Sequence, residues 1–95
     1  MHLDELQDIL RRTYLDRDAA RGRDATFRWM VEEVGELSRA LRDDEPAALL
    51  QEFGDVLAWL ASLATLCGVD LERAAARYAG GCPRCAAIPC RCTRR

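Results

Sequence analysis

The residues best placed to do chemistry are two carboxylate pairs, Glu33 with Glu36 and Glu52 with Asp55. They lie in Glu32-Glu33-Val34-Gly35-Glu36 and, after fifteen intervening residues, in Glu52-Phe53-Gly54-Asp55. Residues three apart on a helix share a face, so each pair aims in one direction. Two such helices side by side would bring four carboxylates together, where like charge and burial both disfavour ionisation. A positive group is therefore required. Arg28 and Arg39 are within helical reach of Glu32 and Glu36, but no Arg or Lys occurs from Asp43 to Glu72. Glu52 and Asp55 need a partner from outside their own helix. A divalent cation with hard oxygen ligands, Mg²⁺ above all, meets that need and leaves coordination positions for a phosphate substrate. A solvated or inter-helix salt-bridged face is the alternative.

A second group of reactive side chains closes the chain. Cys82-Pro83-Arg84-Cys85 and Cys90-Arg91-Cys92 place four cysteines within eleven residues. A Cys-x-x-Cys knuckle followed by two more thiols suffices for a structural Zn²⁺ site, which would order a segment too short to fold by burial. Redox-active or unliganded thiols are the alternative, and the Cys-x-Cys half is tighter than most structural zinc pairs. Arg84, Arg91, Arg94 and Arg95 give this tail +4; ten arginines against sixteen acidic residues leave residues 1–81 at −6. Four arginines are a weak signal for phosphate or nucleic acid, and the net charge of −2 gives no global attraction to nucleic acid.

The elements that position these groups read as helices. Leu3, Leu6, Ile9, Leu10 and Tyr14 have helical spacing, predicting an amphipathic helix from about Leu3 to Asp16 that ends towards Arg21-Gly22-Arg23. Asp24 is a candidate N-cap for a second helix reaching about Arg42, with the stripe Phe27, Met30, Val34, Leu37 and Leu41. Pro46 suits the first turn of a third helix that stops near Cys67-Gly68, with the stripe Leu49, Phe53, Val56, Leu60 and Leu63. One position before each stripe runs an acidic one: Trp29, Glu33, Glu36 and Ala40, then Ala48, Glu52, Asp55, Trp59 and Ser62. If the apolar seams pack, the carboxylates converge at the seam's edge. Leu50, Leu57, Ala61 and Ala64 make the third helix apolar over most of its circumference, as befits a central helix. Asp70 could cap a short fourth helix, Leu71 to about Tyr78.

The expected fold is an all-α antiparallel bundle of about four helices, residues 1–79, with a Cys-rich tail at 80–95. Ninety-five residues bury a modest core, so completion as a homodimer or homotetramer is expected. The N-terminus carries charge where a signal peptide needs an apolar run, and Asp55 interrupts the longest apolar stretch. A cytoplasmic protein without membrane association is expected, its five cysteines thiols or metal ligands rather than a disulfide framework.

The paired acidic blocks, with Trp29-Met30-Val31 before the first and Val56-Leu57-Ala58-Trp59-Leu60 after the second, resemble the MazG family of all-α nucleotide pyrophosphohydrolases. The resemblance covers about Leu3 to Tyr78. It implies a nucleoside triphosphate substrate split between its α- and β-phosphates, giving a monophosphate and pyrophosphate in nucleotide-pool housekeeping. It implies Mg²⁺, with Mn²⁺ an alternative, on Glu33, Glu36, Glu52 and Asp55, and Glu32 and Glu33 as catalytic carboxylates. Glu32 points about 100° away from Glu33, so it could orient water, take a further metal or pair with Arg28. Trp59, and second Trp29, are candidates to flank or stack on the nucleotide, with core packing the alternative for both. Arg77 is a candidate phosphate contact where relatives carry Lys and Asn. His2, the single histidine, has no assigned role, and its isolation argues against a ferritin-like di-iron site. A phosphoribosyl-ATP pyrophosphohydrolase and a non-catalytic helical oligomerisation module with a zinc-binding docking tail are the rival readings.

Overall fold

A computed structural model describes residues 1–94 as four helices with no strand among them: α1 (Leu3–Arg21), α2 (Arg23–Asp43), α3 (Pro46–Leu66) and α4 (Leu71–Ala76). The all-α expectation is met. Each junction has a local cause. Gly22, at φ 88°, is at once the C-cap of α1 and the N-cap of α2, a backbone state that side chains with a Cβ rarely adopt. With one residue between the helices, α2 begins at Arg23, so Asp24 lies inside the first turn instead of capping it. Its charge still favours that end through the helix dipole. At the next junction Asp44 ends α2 in a left-handed conformation, and the Glu45 carboxylate accepts from the backbone N–H groups of Ala47 (3.2 Å) and Ala48 (2.9 Å). Pro46 follows at the first helical position. α3 closes with the N–H of Val69 donating to Ala64 O (2.8 Å) and that of Gly68 to Thr65 O (3.1 Å), a Schellman pair. The Asp70 side chain caps α4, which ends at Ala76, two residues before Tyr78, where tighter i→i+3 turns take over.

α3 is the central helix, packed against both α2 and α1. Antiparallel pairing shows in two long-range bonds: Arg23 Nε donates to Leu66 O (3.3 Å), and Gln7 Nε2 donates to Val69 O (2.7 Å). Both α1 and α2 thus begin beside the end of α3. By length and apolarity α3 could cross a membrane. Its acidic residues nevertheless lie against α2 and its C-terminal half against α1, the arrangement of a bundle's middle helix.

The packing seam differs from the one expected. The less exposed residues of α2 include Thr26, Met30, Glu33, Leu37 and Ala40, all but Thr26 drawn from the two sequence stripes, and those of α3 include Glu52, Asp55, Trp59 and Ser62, with Glu33 reaching Glu52 and Asp55. Thr26, Ala40, Ala61, Ser62 and Ala64 are buried. The seam mixes the two stripes: Met30, Leu37, Leu49, Val56 and Leu63 are half-buried along with Glu33, Glu52, Asp55 and Trp59, and the rest of the bulkier stripe faces outward. Phe27, Val31, Val34 and Leu41 of α2 and Leu50, Phe53, Leu57 and Leu60 of α3 are exposed, Leu50 by 79% and Phe53 by 58%. Ala40, Ala61 and Ala64 are the only buried hydrophobic residues among those described.

Candidate functional site

Glu33 comes from the middle of α2, and Glu52 and Asp55 from one turn of α3. The hairpin brings one carboxylate oxygen of each to within 4.8 Å of the others. All three are half-buried. Oε2 of Glu52 is fully buried and has no hydrogen-bond partner. The Glu33 carboxyl is held above the usual glutamate range, first by burial, then by the charges of Asp55 and Glu52. Among the described residues no guanidinium pairs with any of the three; the arginine ion pairs go to Asp8, Asp18 and Glu36.

Glu36 stands outside this triad. It is exposed and turned towards Arg39 at 3.6 Å, although its charge still reaches Glu33. Glu32 is exposed as well and forms no ion pair with Arg28 among the described residues. Trp29 and Trp59 stack with ring centroids 6.2 Å apart and 17° between planes, and the Arg21 guanidinium lies 4.8 Å over Trp59. Trp59 thus contacts both an indole and a guanidinium.

Asp55 and Trp59 also line a cavity of about 310 Å³ between α1 and α3, with Tyr14, Arg17, Asp18 and Arg21 along its α1 wall. Buried Asp18 fixes Arg21 through a 2.8 Å ion pair, and Arg21 also donates to the fully buried Thr26 (3.4 Å). Sequence reasoning placed Tyr14 in the apolar stripe of α1 and gave none of these residues a part in a site. Their spacing, Tyr14, Arg17 or Asp18, and Arg21, was the available signal. Arg77 lies elsewhere. Its guanidinium sits 5.8 Å over Tyr78, and it lines a separate cavity of about 460 Å³ against the tail, with Pro83, Ile88 and Arg94. The structure does not bring Arg77 into the Asp55–Trp59 cavity.

In the tail the four sulfurs of Cys82, Cys85, Cys90 and Cys92 also converge within 4.8 Å of one another. Backbone N–H groups of Arg91 and Ala87 draw the Cys85 thiol down to about 6, while Cys90, Cys82 and Cys85 push Cys92 up to about 11. Cys67, at the end of α3, is outside the group.

A helical hairpin that half-buries three carboxylates, orphans one oxygen and supplies no cation is a centre fitted to a hard divalent metal. Fold and site together define an all-α protein with three convergent carboxylates that could hold a metal ion. Residues 21–80 match the MazG nucleotide pyrophosphohydrolase domain, and the chain belongs to that family. No curated protein matches the chain.

Proposed function

We propose that the chain is a Mg²⁺-dependent nucleoside triphosphate pyrophosphohydrolase that hydrolyses the α–β phosphoanhydride of (d)NTPs to a monophosphate and pyrophosphate. The carrying observation is the buried, unpartnered Oε2 of Glu52 within a triad of convergent carboxylates, in a chain of this family. Glu33, Glu52 and Asp55 would hold the metal, with Glu36 one turn beyond Glu33 completing the set. When bound, Mg²⁺ neutralises phosphate oxygens and acidifies a coordinated water.

The chain's own residues supply the rest. Glu33, already inclined to keep a proton, is suited to accept one from water, and exposed Glu32 is the second candidate. Trp59 and Trp29 offer aromatic faces one helical turn from Asp55 and Glu33. Arg17 and Arg21 place positive charge in the cavity that Asp55 lines, where a triphosphate's outer oxygens would be neutralised. Arg77 would reach the substrate only if α4 or the tail moved.

The working form is a homodimer, or a homotetramer built from it. Phe27, Val31, Val34 and Leu41, and Leu50, Phe53, Leu57 and Leu60, form two exposed stripes at heptad-like spacing on adjacent helices. A second copy related by a twofold axis covers both in a four-helix bundle. A cytoplasmic setting suits both the substrate and five unpaired cysteines.

The test is pyrophosphate release from a panel of standard and modified (d)NTPs, with Mg²⁺ and then with EDTA. Metal-dependent release with the matching monophosphate is expected, and a Glu52→Ala, Asp55→Ala double variant should keep its helical circular dichroism while turnover falls by at least about a hundredfold. Undiminished activity in that variant would remove the metal assignment.

A further inference from the structure

We infer that Cys82, Cys85, Cys90 and Cys92 are the ligands of a tetrahedral Zn²⁺ site that holds the C-terminal segment in place, a metal centre independent of the carboxylates. The sulfurs are spaced as such a site requires. Cys82 Sγ lies 3.8 Å from Cys92 Sγ, and Cys85 Sγ 3.9 Å from Cys90 Sγ. Four thiolates about 2.3 Å from one tetrahedral ion stand about 3.8 Å from one another. A disulfide would require sulfurs about 2 Å apart, so neither pair is one. The two close pairs are nested in the sequence, each joining the Cys-x-x-Cys knuckle to the Cys-x-Cys turn, and all four sulfurs lie within 4.8 Å of one another, as a single shared centre demands.

The backbone supports the sulfurs. The knuckle is closed by two reciprocal bonds, from the Cys82 N–H to Ala87 O (3.2 Å) and from the Ala86 N–H to Cys82 O (2.7 Å). The Arg91 N–H donates to Cys85 Sγ and the Cys92 N–H to Cys90 Sγ, both at 3.3 Å. Such donors stabilise thiolate charge around a metal. Gly81 makes the approach possible: at φ 106°, a Cβ there would come within 2.6 Å of Ile88 Cγ1 and 3.0 Å of Ala87 O.

Burial cannot hold this segment together. Ile88, its largest apolar side chain, is 81% exposed, and no residue from Cys82 to Arg94 is buried. A chain this short fixes four thiols at one point only if something at that point binds them. Charge agrees, because four thiolates on a dication leave −2, and Arg84, Arg91 and Arg94 share the segment with no acidic residue. A soft, all-sulfur tetrahedral set selects Zn²⁺ or iron.

The full chain, purified without chelator from zinc-supplemented medium, should carry about one zinc by elemental analysis. Cys85→Ser and Cys90→Ser should each lose it on dialysis, while Cys67→Ser and the Glu52→Ala, Asp55→Ala variant keep it. Helical circular dichroism unchanged in the tail variants would separate ligand loss from misfolding. Co²⁺ exchanged into the site should give the visible spectrum of a tetrahedral thiolate centre, and hydrogen exchange at residues 82–94 should be slow with zinc and fast after chelation. Four freely reactive tail thiols in metal-free protein, zinc retained by both serine variants, or an iron chromophore would each overturn the assignment. None of these outcomes bears on nucleotide hydrolysis.

Discussion

Glu33 titrates against its surroundings. Burial first, then Asp55 and Glu52, raises its proton affinity above that of the unfolded chain. Its stabilising contribution is complete below the ordinary glutamate pKa and is lost as pH rises through the raised folded value. Metal-free protein should therefore lose Tm as pH climbs out of the carboxylate range, and Glu33→Gln should flatten that decline. The check is thermal melting in EDTA, wild type against variant. Parallel slopes would mean that Glu33 is not under strain. The residues of this triad were legible in the sequence because α3 has no basic residue of its own to neutralise Glu52 and Asp55. Arg21 and Asp18 were not, since a charged pair three residues apart reads the same on a solvent face as in a buried contact. Only the packing of α1 on α3 tells the two apart.

α1 is fastened to the turn after α3 by one amide. Gln7 Nε2 donates to Val69 O and to Thr65 Oγ1 (3.1 Å), while Gln7 Oε1 accepts from the Leu71 N–H (2.9 Å). Removing it in Gln7→Ala leaves a partly buried backbone donor without its acceptor, at a cost of about 1–3 kcal/mol. Urea denaturation should show this as a lower midpoint at unchanged slope. An unchanged midpoint would mean that water replaces the amide. At this scale the helices were readable from periodicity and from Pro46 and Asp70, but the choice of inward stripe was not. Hydrophobicity favours the stripe of Phe27, Val34, Phe53 and Leu60. The folded chain instead buries the small side chains of Thr26, Ala40, Ala61 and Ser62 and half-buries Met30, Leu37, Val56 and Leu63, leaving the rest of the bulkier stripe outside.

Across the whole molecule, the displaced stripes set the expected assembly. Charge placed on this face by Phe53→Glu with Leu57→Glu should convert the protein to monomers in sedimentation velocity, with a lower Tm because the exposed apolar area no longer finds cover. A wild type that already sediments as a monomer would refute the twofold bundle. The all-α class was legible in the sequence, whereas a face offered to another chain looks the same there as a face offered to a neighbouring helix. One more consequence is optical. Trp29 and Trp59 are the protein's two tryptophans, and they stack on each other beside the acidic centre. Indole emission from this protein is thus a local signal, reporting the closure of the α2–α3 hairpin and the arrival of charge or a base at its mouth, and largely blind to α4 and the tail.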